Sequence, residues 1–337
     1  MRSFTATVSA RVPAWARFLA VAMLALACVS CAQKLTLFPD YTEPLQEFTL
    51  QGEGQDKVLL VPVRGFIGEE PDKGVFVTRP STVQEVASQL QKAEKDKDVK
   101  AVILVVDSPG GSTTASDIVY HELAQFKAKT GDKVVSCMMG LAASGGYYVS
   151  LAADRIVAHP TTITGSVGTI FLQPRISGLM DKIGVEVEAY KSGKEKDMGS
   201  PFRPATAEEK KLFQELIDDM NSRFLALVKD RRHLTDEQLA FVADAHVMTA
   251  SQAKAAGLVD SIGFMQDAIA QAKSLAGLPE DARVVAYRRT AYADDSIYNP
   301  ATSSVPTGNM KLVDLGAAQA ALSMRPGFYW LWLPETR

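Results

Sequence analysis

Ser144 sits among residues with almost no side chain: Ala142 and Ala143 precede it, and Gly145 and Gly146 follow. A hydroxyl in so small a setting suits acyl transfer, because a peptide backbone can come close to it. Serine is a weak nucleophile at neutral pH and needs a base. The four histidines are His121, His159, His233 and His246, and none shows an aspartate partner in the sequence, so all four read as surface or helix-end residues. A lysine is the other choice. It must be neutral to accept a proton, and desolvation favours the neutral amine. The segment AYKSGKEKDMGSP offers Lys191, Lys194 and Lys196, and spacing alone leaves the choice among them open. Acyl transfer also needs backbone N–H groups aimed at the developing oxyanion. DSPGGS is the candidate: Pro109 fixes one dihedral, and Gly110 and Gly111 let backbone approach a ligand. Taken alone, DSPGGS also reads as an ordinary strand–helix turn.

The elements that must position these residues follow from hydrophobic periodicity. KVLLVPVRGFI (57–67) reads as a strand. Ser81 and Gln84 form a capping box ahead of Val83, Val86, Ala87 and Leu90 at helical spacing. The charges from Glu94 to Lys100 read as a solvated helix end. KAVILVVDSPGGS is a buried strand entering a glycine turn, with a helix over 114–127 beyond it. KVVSCMMG is a further strand, and a helix opens at Ser144. RIVAHP, GSVGTIFL and VEVEAYKSG read as strands. A long amphipathic helix starts at a Thr206/Glu209 capping box, with Leu212, Phe213, Leu216, Ile217, Met220, Phe224, Leu227 and Val228 on one stripe. Strands alternate with helices, often two strands to one helix. That predicts an α/β fold of stacked ββα units.

Four segments recur in a fixed order: DSPGGS, GLAASGGYYVSLAAD, TGSVGTI and KSGKEKDMGSP. ASQAKAAGLVDSIG (250–263) follows them. Together they resemble the signal peptide peptidase A family of bacterial serine–lysine peptidases, over roughly 58–273. The resemblance implies the crotonase/Clp-protease-like superfold. It implies Ser144 as nucleophile, Lys196 as general base and Ser166 as the serine that orients the lysine amine. Gly111 and Gly145 fall in the oxyanion-hole region, with Gly110 as a further contributor. Val105 stands where many members carry an arginine. The helix opening at Ser144 would aim N–H groups at the oxyanion, and an apolar wall would keep the lysine neutral. The implied activity is a serine endopeptidase acting on cleaved signal peptides and other hydrophobic peptides, with no cofactor or metal, in a homo-oligomer. A crotonase-type acyl-CoA enzyme also uses paired backbone amides, but the export segment argues against it. An inactive scaffold fits poorly with Ser144, Lys196 and Ser166 all present.

Composition bounds the rest. The 337 residues are 47% apolar and carry a net charge of −3, without the basic footprint of a nucleic-acid binder. There are three cysteines, Cys28, Cys31 and Cys137; no disulfide framework follows, and Cys137 reads as a small buried hydrophobe. Arg2, Arg11 and Arg17 precede a short apolar run at 18–27, and Cys28 and Cys31 come directly after. This resembles a lipoprotein processing site; cleaved export and an uncleaved membrane anchor are the alternatives. Each places the catalytic body in the cell envelope, outside the cytoplasm. The expected organisation is an export or anchor segment (1–31), a tether (32–56), a peptidase domain (57–280) and a C-terminal extension (281–337). Residues 292–309 are turn-rich. The aromatic end RPGFYWLWLPETR admits a strand on its own core, docking on a neighbouring subunit or its groove, or membrane contact. Stabilisation of the oligomer is the working expectation.

Overall fold

The computed structural model describes residues 41, 43–73, 78–300 and 326–333. Cys28, Cys31 and the rest of 1–31 lie outside them. In chain order the elements begin with strands β1 (Gln46–Gln51) and β2 (Lys57–Ile67) and the short pair β3 (Asp72–Lys73) and β4 (Thr78–Arg79). Helix α1 (Thr82–Ala93) leads to β5 (Val99–Ser112), α2 (Thr113–Thr130), β6 (Lys133–Ala143) and α3 (Gly145–Ser150). Strands β7 (Arg155–Ala158), β8 (Ile163–Gly165) and β9 (Ile170–Leu172) precede helices α4 (Ser177–Ile183), α5 (Ala207–Arg232) and α6 (Asp236–Val242). The remaining elements are β10 (Val247–Thr249), α7 (Ala250–Ala255), β11 (Ser261–Ile262), α8 (Met265–Ala276), β12 (Arg283–Arg288) and β13 (Gly327–Leu331).

The sheet runs β1-β12-β2-β5-β6-β7-β11. All neighbours are parallel except β1 against β12. Strands β2 and β5 carry unbroken apolar runs at 58–63 and 101–106 because helices cover both faces of a parallel sheet there. Successive side chains point to opposite faces, and the core divides accordingly. Leu59, Val61, Val102 and Leu104 face α1 and α2 with Val86, Leu90 and Leu123. Val58, Leu60, Ile103 and Cys137 face α8 with Met265 and Ile269. Burial drives the Cys137 thiol up to about 12, so it stays protonated, as a small buried hydrophobe should. The Ser81/Gln84 and Thr206/Glu209 capping boxes both form.

Four expectations change, and a fifth observation selects among readings left open. Strand β5 does not stop at the glycines; it continues through Pro109, Gly110 and Gly111, with its register against β6 shifting between Val106 and Ser108. The 32–56 tether and the 281–337 extension each contribute to the main sheet, because β1 pairs β12 and β12 pairs β2. Strands β1 and β12 are only six residues long, and the edge strand β1 is half polar, which hides them from a hydrophobic pattern. The 94–100 charges are not merely solvated: Lys57, only 7% exposed, binds Asp96 (2.8 Å) and Glu47 (2.9 Å). Residues 185–190 form no strand, since no sheet edge among the described residues pairs with them; Val185, Val187 and Tyr190 stand exposed. Finally, the aromatic end lies on its own core. Strand β13 pairs antiparallel with the end of β5, Trp330 opposite Gly111, and with β9 on its other side.

Candidate active site

Strand β6 delivers the chain to Ser144, and α3 begins immediately after it. The turn is sharp: Ser144 has φ 53° and ψ −116°, a left-handed φ that is rare outside glycine. Surrounding hydrogen bonds hold it there. Its N–H donates to the Gly165 carbonyl (2.8 Å), and its own carbonyl accepts from Tyr148 N–H (2.9 Å). The side chain is 1% exposed, with the hydroxyl at 3.5 Å from the Gly168 carbonyl. Backbone strain of this kind costs about 1–3 kcal/mol and clusters at functional sites.

Space around the serine is set by glycines. A Cβ on Gly110 (φ 101°) would lie 2.7 Å from the Gly145 nitrogen and 2.0 Å from the Trp330 carbonyl. On Gly111 it would meet the Ile67 carbonyl at 2.1 Å, and on Gly145 the Ser116 hydroxyl at 2.5 Å. Three strands of backbone thus converge where only glycine fits. The three amides are not equivalent, however. Gly110 N–H donates to Ser108 Oγ (3.0 Å), and that hydroxyl donates to the Gly65 carbonyl (2.6 Å). Gly110 therefore shapes the turn with its N–H already engaged by Ser108.

Ser166 lies next to Ser144. Strand β8 pairs with β6 with Gly165 opposite Ala143, so the residues following each pair are the two serines. Ser166 is also left-handed (φ 51°), and its N–H donates to the His246 carbonyl (2.8 Å). Lys196 stands apart. It lies on the exposed turn 193–200, and no hydrogen bond joins it to Ser144. Among the described residues, the turn leaves Lys196 exposed, without the apolar wall expected around its amine. The other two candidate lysines are occupied: Lys191 binds Asp197 (2.5 Å) and Lys194 binds Glu208.

The histidines need one correction. His246 does have an aspartate, Asp244, bound to its Nδ1. Neighbours two apart meet through a local turn, which a search for a distant partner misses. His159 pairs with Thr161 (2.8 Å), His121 with Gln125 (3.2 Å), and His233 caps α5. None of them binds the Ser144 hydroxyl; its one hydrogen bond among the described residues is to Gly168. Two features escaped the sequence reading. Trp330 stacks on Tyr148 (4.2 Å), one turn beyond Ser144, and on Phe224 (5.0 Å). Arg203, between SPF and the capping box, binds both Asp197 and Glu209; an arginine flanked by carboxylates at six-residue spacing was the available signal.

Comparison with known proteins follows this geometry. The family model of peptidase family S49 matches residues 126–279, and that of Clp protease matches residues 73–164. "Putative signal peptide peptidase SppA" of Enterococcus faecium is 34% identical over 265 residues, covering 78% of this chain and 76% of that one. A protease of Methanocaldococcus jannaschii is 38% identical over 205 residues, 61% of this chain and 65% of its own. "Protease 4" of Salmonella typhi is 37% identical over 236 residues, 70% of this chain but 37% of its own. The chain thus spans well under half of that last relative. The parallel sheet has the Clp-protease/crotonase-like fold that the resemblance implies and with which the ββα pattern agrees. With a strained serine opening a helix beside a glycine-lined turn, and with relatives of this similarity, the chain belongs to peptidase family S49, that of signal peptide peptidase A, and is a serine peptidase.

Proposed function

We propose that this peptidase works in the cell envelope and cleaves spent signal peptides and other hydrophobic peptides through a Ser144/Lys196 dyad. The observation that carries the reading is Ser144 itself: a buried, left-handed serine at a helix start, with no histidine bound to its hydroxyl. In the proposed reaction, neutral Lys196 takes the Ser144 proton as Oγ bonds to the substrate carbonyl carbon. The N–H groups of Gly145 and Gly111 receive the oxyanion, and Ser166 orients the lysine amine. The C–N bond then breaks, and the leaving amine takes the proton from the Lys196 ammonium. Water, deprotonated by Lys196, attacks the acyl-enzyme and releases Ser144.

The exposed lysine supports a homo-oligomer. Around its loop, Leu179, Ile183, Val185, Val187, Tyr190 and Leu216 all stand exposed, Tyr190 at 88%. Helix α5 buries Phe224 and Val228 but leaves Leu216 exposed and Leu212 and Phe213 half-buried, Phe213 stacking on Phe171. A second copy covering this surface would remove water from Lys196 and bring it to a serine. The 1–31 segment, as lipoprotein or uncleaved anchor, would hold the assembly at the membrane; among the described residues no helix is long and apolar enough to cross one. The peptidase body is taken as 57–280, extended by the strands on either side.

The test uses full-length wild type, Ser144→Ala and Lys196→Ala with a synthetic signal peptide, the fragments identified by mass. Both variants should be folded and inactive, with losses that do not add. Mixing the two inactive variants should restore part of the activity if the lysine serves a neighbour's serine. No recovery would place the dyad within one chain. Near wild-type turnover in Lys196→Ala would remove the lysine from the mechanism.

A further inference from the structure

The stretch from Lys191 to Glu209 is dense in charge, and its pairing is lopsided. Arg203 holds Asp197 through two parallel hydrogen bonds, Nε to Oδ2 (2.9 Å) and Nη2 to Oδ1 (2.8 Å), and also reaches the Asp197 carbonyl (3.3 Å). Its other edge binds Glu209, Nη1 to Oε2 at 3.0 Å and Nη2 to Oε1. Glu209 is 1% exposed and fixed by the α5 capping box, accepting from Thr206 N–H (2.7 Å). Lys191 adds a second cation to Asp197 at 2.5 Å. Lys194 takes Glu208 and lies 3.4 Å from Glu195. Every charged side chain of 191–209 thus has an opposite charge beside it except Lys196, which has none among the described residues.

That exception has a chemical use. A carboxylate close to an ammonium stabilises its charged form. Asp197 is the next residue after Lys196 and would be its natural partner. A guanidinium binds a carboxylate bidentately, which a lysine cannot do. We propose that Arg203 is a positioning residue for Lys196: it ties the lysine's turn to the start of α5 and takes up the Asp197 charge that would otherwise hold the lysine protonated. The inference rests on the reading of Lys196 as general base. The carboxyls behave accordingly. Arg203, with Lys191, holds Asp197 well below the usual carboxylate range, and Arg203 brings Glu209 down to about 2. Besides Arg203, the charged groups facing the turn are Lys191, Lys194, Glu195 and Asp197 on the loop and Glu208 and Glu209 on α5.

The test is the pH profile of kcat/KM on an internally quenched peptide with an apolar core, using the full chain. Arg203→Gln should move the alkaline-rising limb up by about one unit. Below the limb that is about a tenfold loss, because the neutral amine falls tenfold per unit; above it, activity returns toward wild type. Arg203→Lys keeps the charge, and the limb should stay within a few tenths of a unit. The double variant Asp197→Asn/Arg203→Gln removes the carboxylate as well, and its limb should return. A merely structural arginine would instead lower activity by one factor at every pH, and removing Asp197 would not restore the limb; either result overturns the proposal. The double variant also serves if Arg203→Gln alone fails to fold. An active Lys196→Ala would sink the base assignment, whereas an inactive Lys196→Ala with an unmoved limb in Arg203→Gln would sink only the role of Arg203.

Discussion

Replacing Trp330 by alanine should destabilise the protein more than a typical substitution. Trp330 is 2% exposed, stacked on Tyr148 at 4.2 Å and leaning on Phe224 at 5.0 Å, and its indole N–H donates to Thr169 Oγ1 at 2.8 Å. Truncating a buried tryptophan to alanine costs about 3–5 kcal/mol, and a net hydrogen bond is worth about 1 kcal/mol. Since Thr169 is only half-buried and water can replace the indole, about 4 kcal/mol is the working figure. Whole domains have about 5–15 kcal/mol to lose, so a quarter or more of the stability goes. At about 2 °C per kcal/mol for a domain of this size, the melting temperature should fall by about 8 °C. Trp330→Phe keeps a stacked ring and should lose about 1–2 kcal/mol. The assay is urea unfolding at constant m-value, with mass by light scattering at fixed concentration. A loss below about 1 kcal/mol would refute the packing argument. A lower mass with an unchanged melt would show that this strand belongs to a neighbour's sheet.

Four further outcomes follow from the same geometry. Ser166→Ala should cut turnover by about 10- to 1000-fold, since one hydrogen bond to a reacting or charged group is worth about 1.5–3 kcal/mol; a loss equal to that of Ser144→Ala would make it an essential participant. Ser144→Gly should be inactive yet more stable than Ser144→Ala by about 1 kcal/mol, because glycine accepts a φ of 53° without strain; equal melting temperatures would mean the turn is unstrained. His246→Ala should leave kcat within about threefold, since only its main-chain carbonyl supports Ser166; a loss of several orders of magnitude would instead make Asp244 and His246 the base system. Acid should loosen the 191–209 loop. Glu209 has its carboxyl lowered from 4.5 to about 2 by Arg203, so its contribution is present in full above about 4.5 and is lost as pH falls toward 2. Limited proteolysis between pH 6 and 2 should show cleavage in the loop rising over that window in wild type; cleavage that stays flat would remove Glu209 as the loop's anchor.

The parts of the fold that could be read from sequence are those whose signal is local. Strands β2 and β5 are covered on both faces, and so appear as unbroken apolar runs. The capping boxes are four-residue patterns with one physical purpose. Ser144 was legible because a tight strand-to-helix turn and an approaching backbone both demand small neighbours. What was hidden depends on distant partners. Strand β1 is a sheet-edge element of mixed polarity, and the short β12 lies between it and β2, so each is recognisable only once its partner is in place. The 185–190 segment alternates like a strand, but a strand needs an edge to bind, and the described residues offer it none. Lys196 was singled out by resemblance, and physics alone could not choose it, since its neutrality depends on what covers it. Asp244 was missed because an i, i+2 contact leaves no periodic trace.

The place of β13 also sets an order of assembly. It is the last described strand along the chain, yet it lies beside Gly110 and Gly111 and its Trp330 rests on Tyr148 of the helix that opens at Ser144. Chains fold from the N-terminus as they are made. The nucleophile turn, β5, β6 and α3 are all available long before residues 327–331 emerge. Until they do, the ends of β5 and β9 lack the strand that joins them. A chain still being synthesised therefore carries its serine with this side of the site unbuilt until residues 327–331 join β5 to β9.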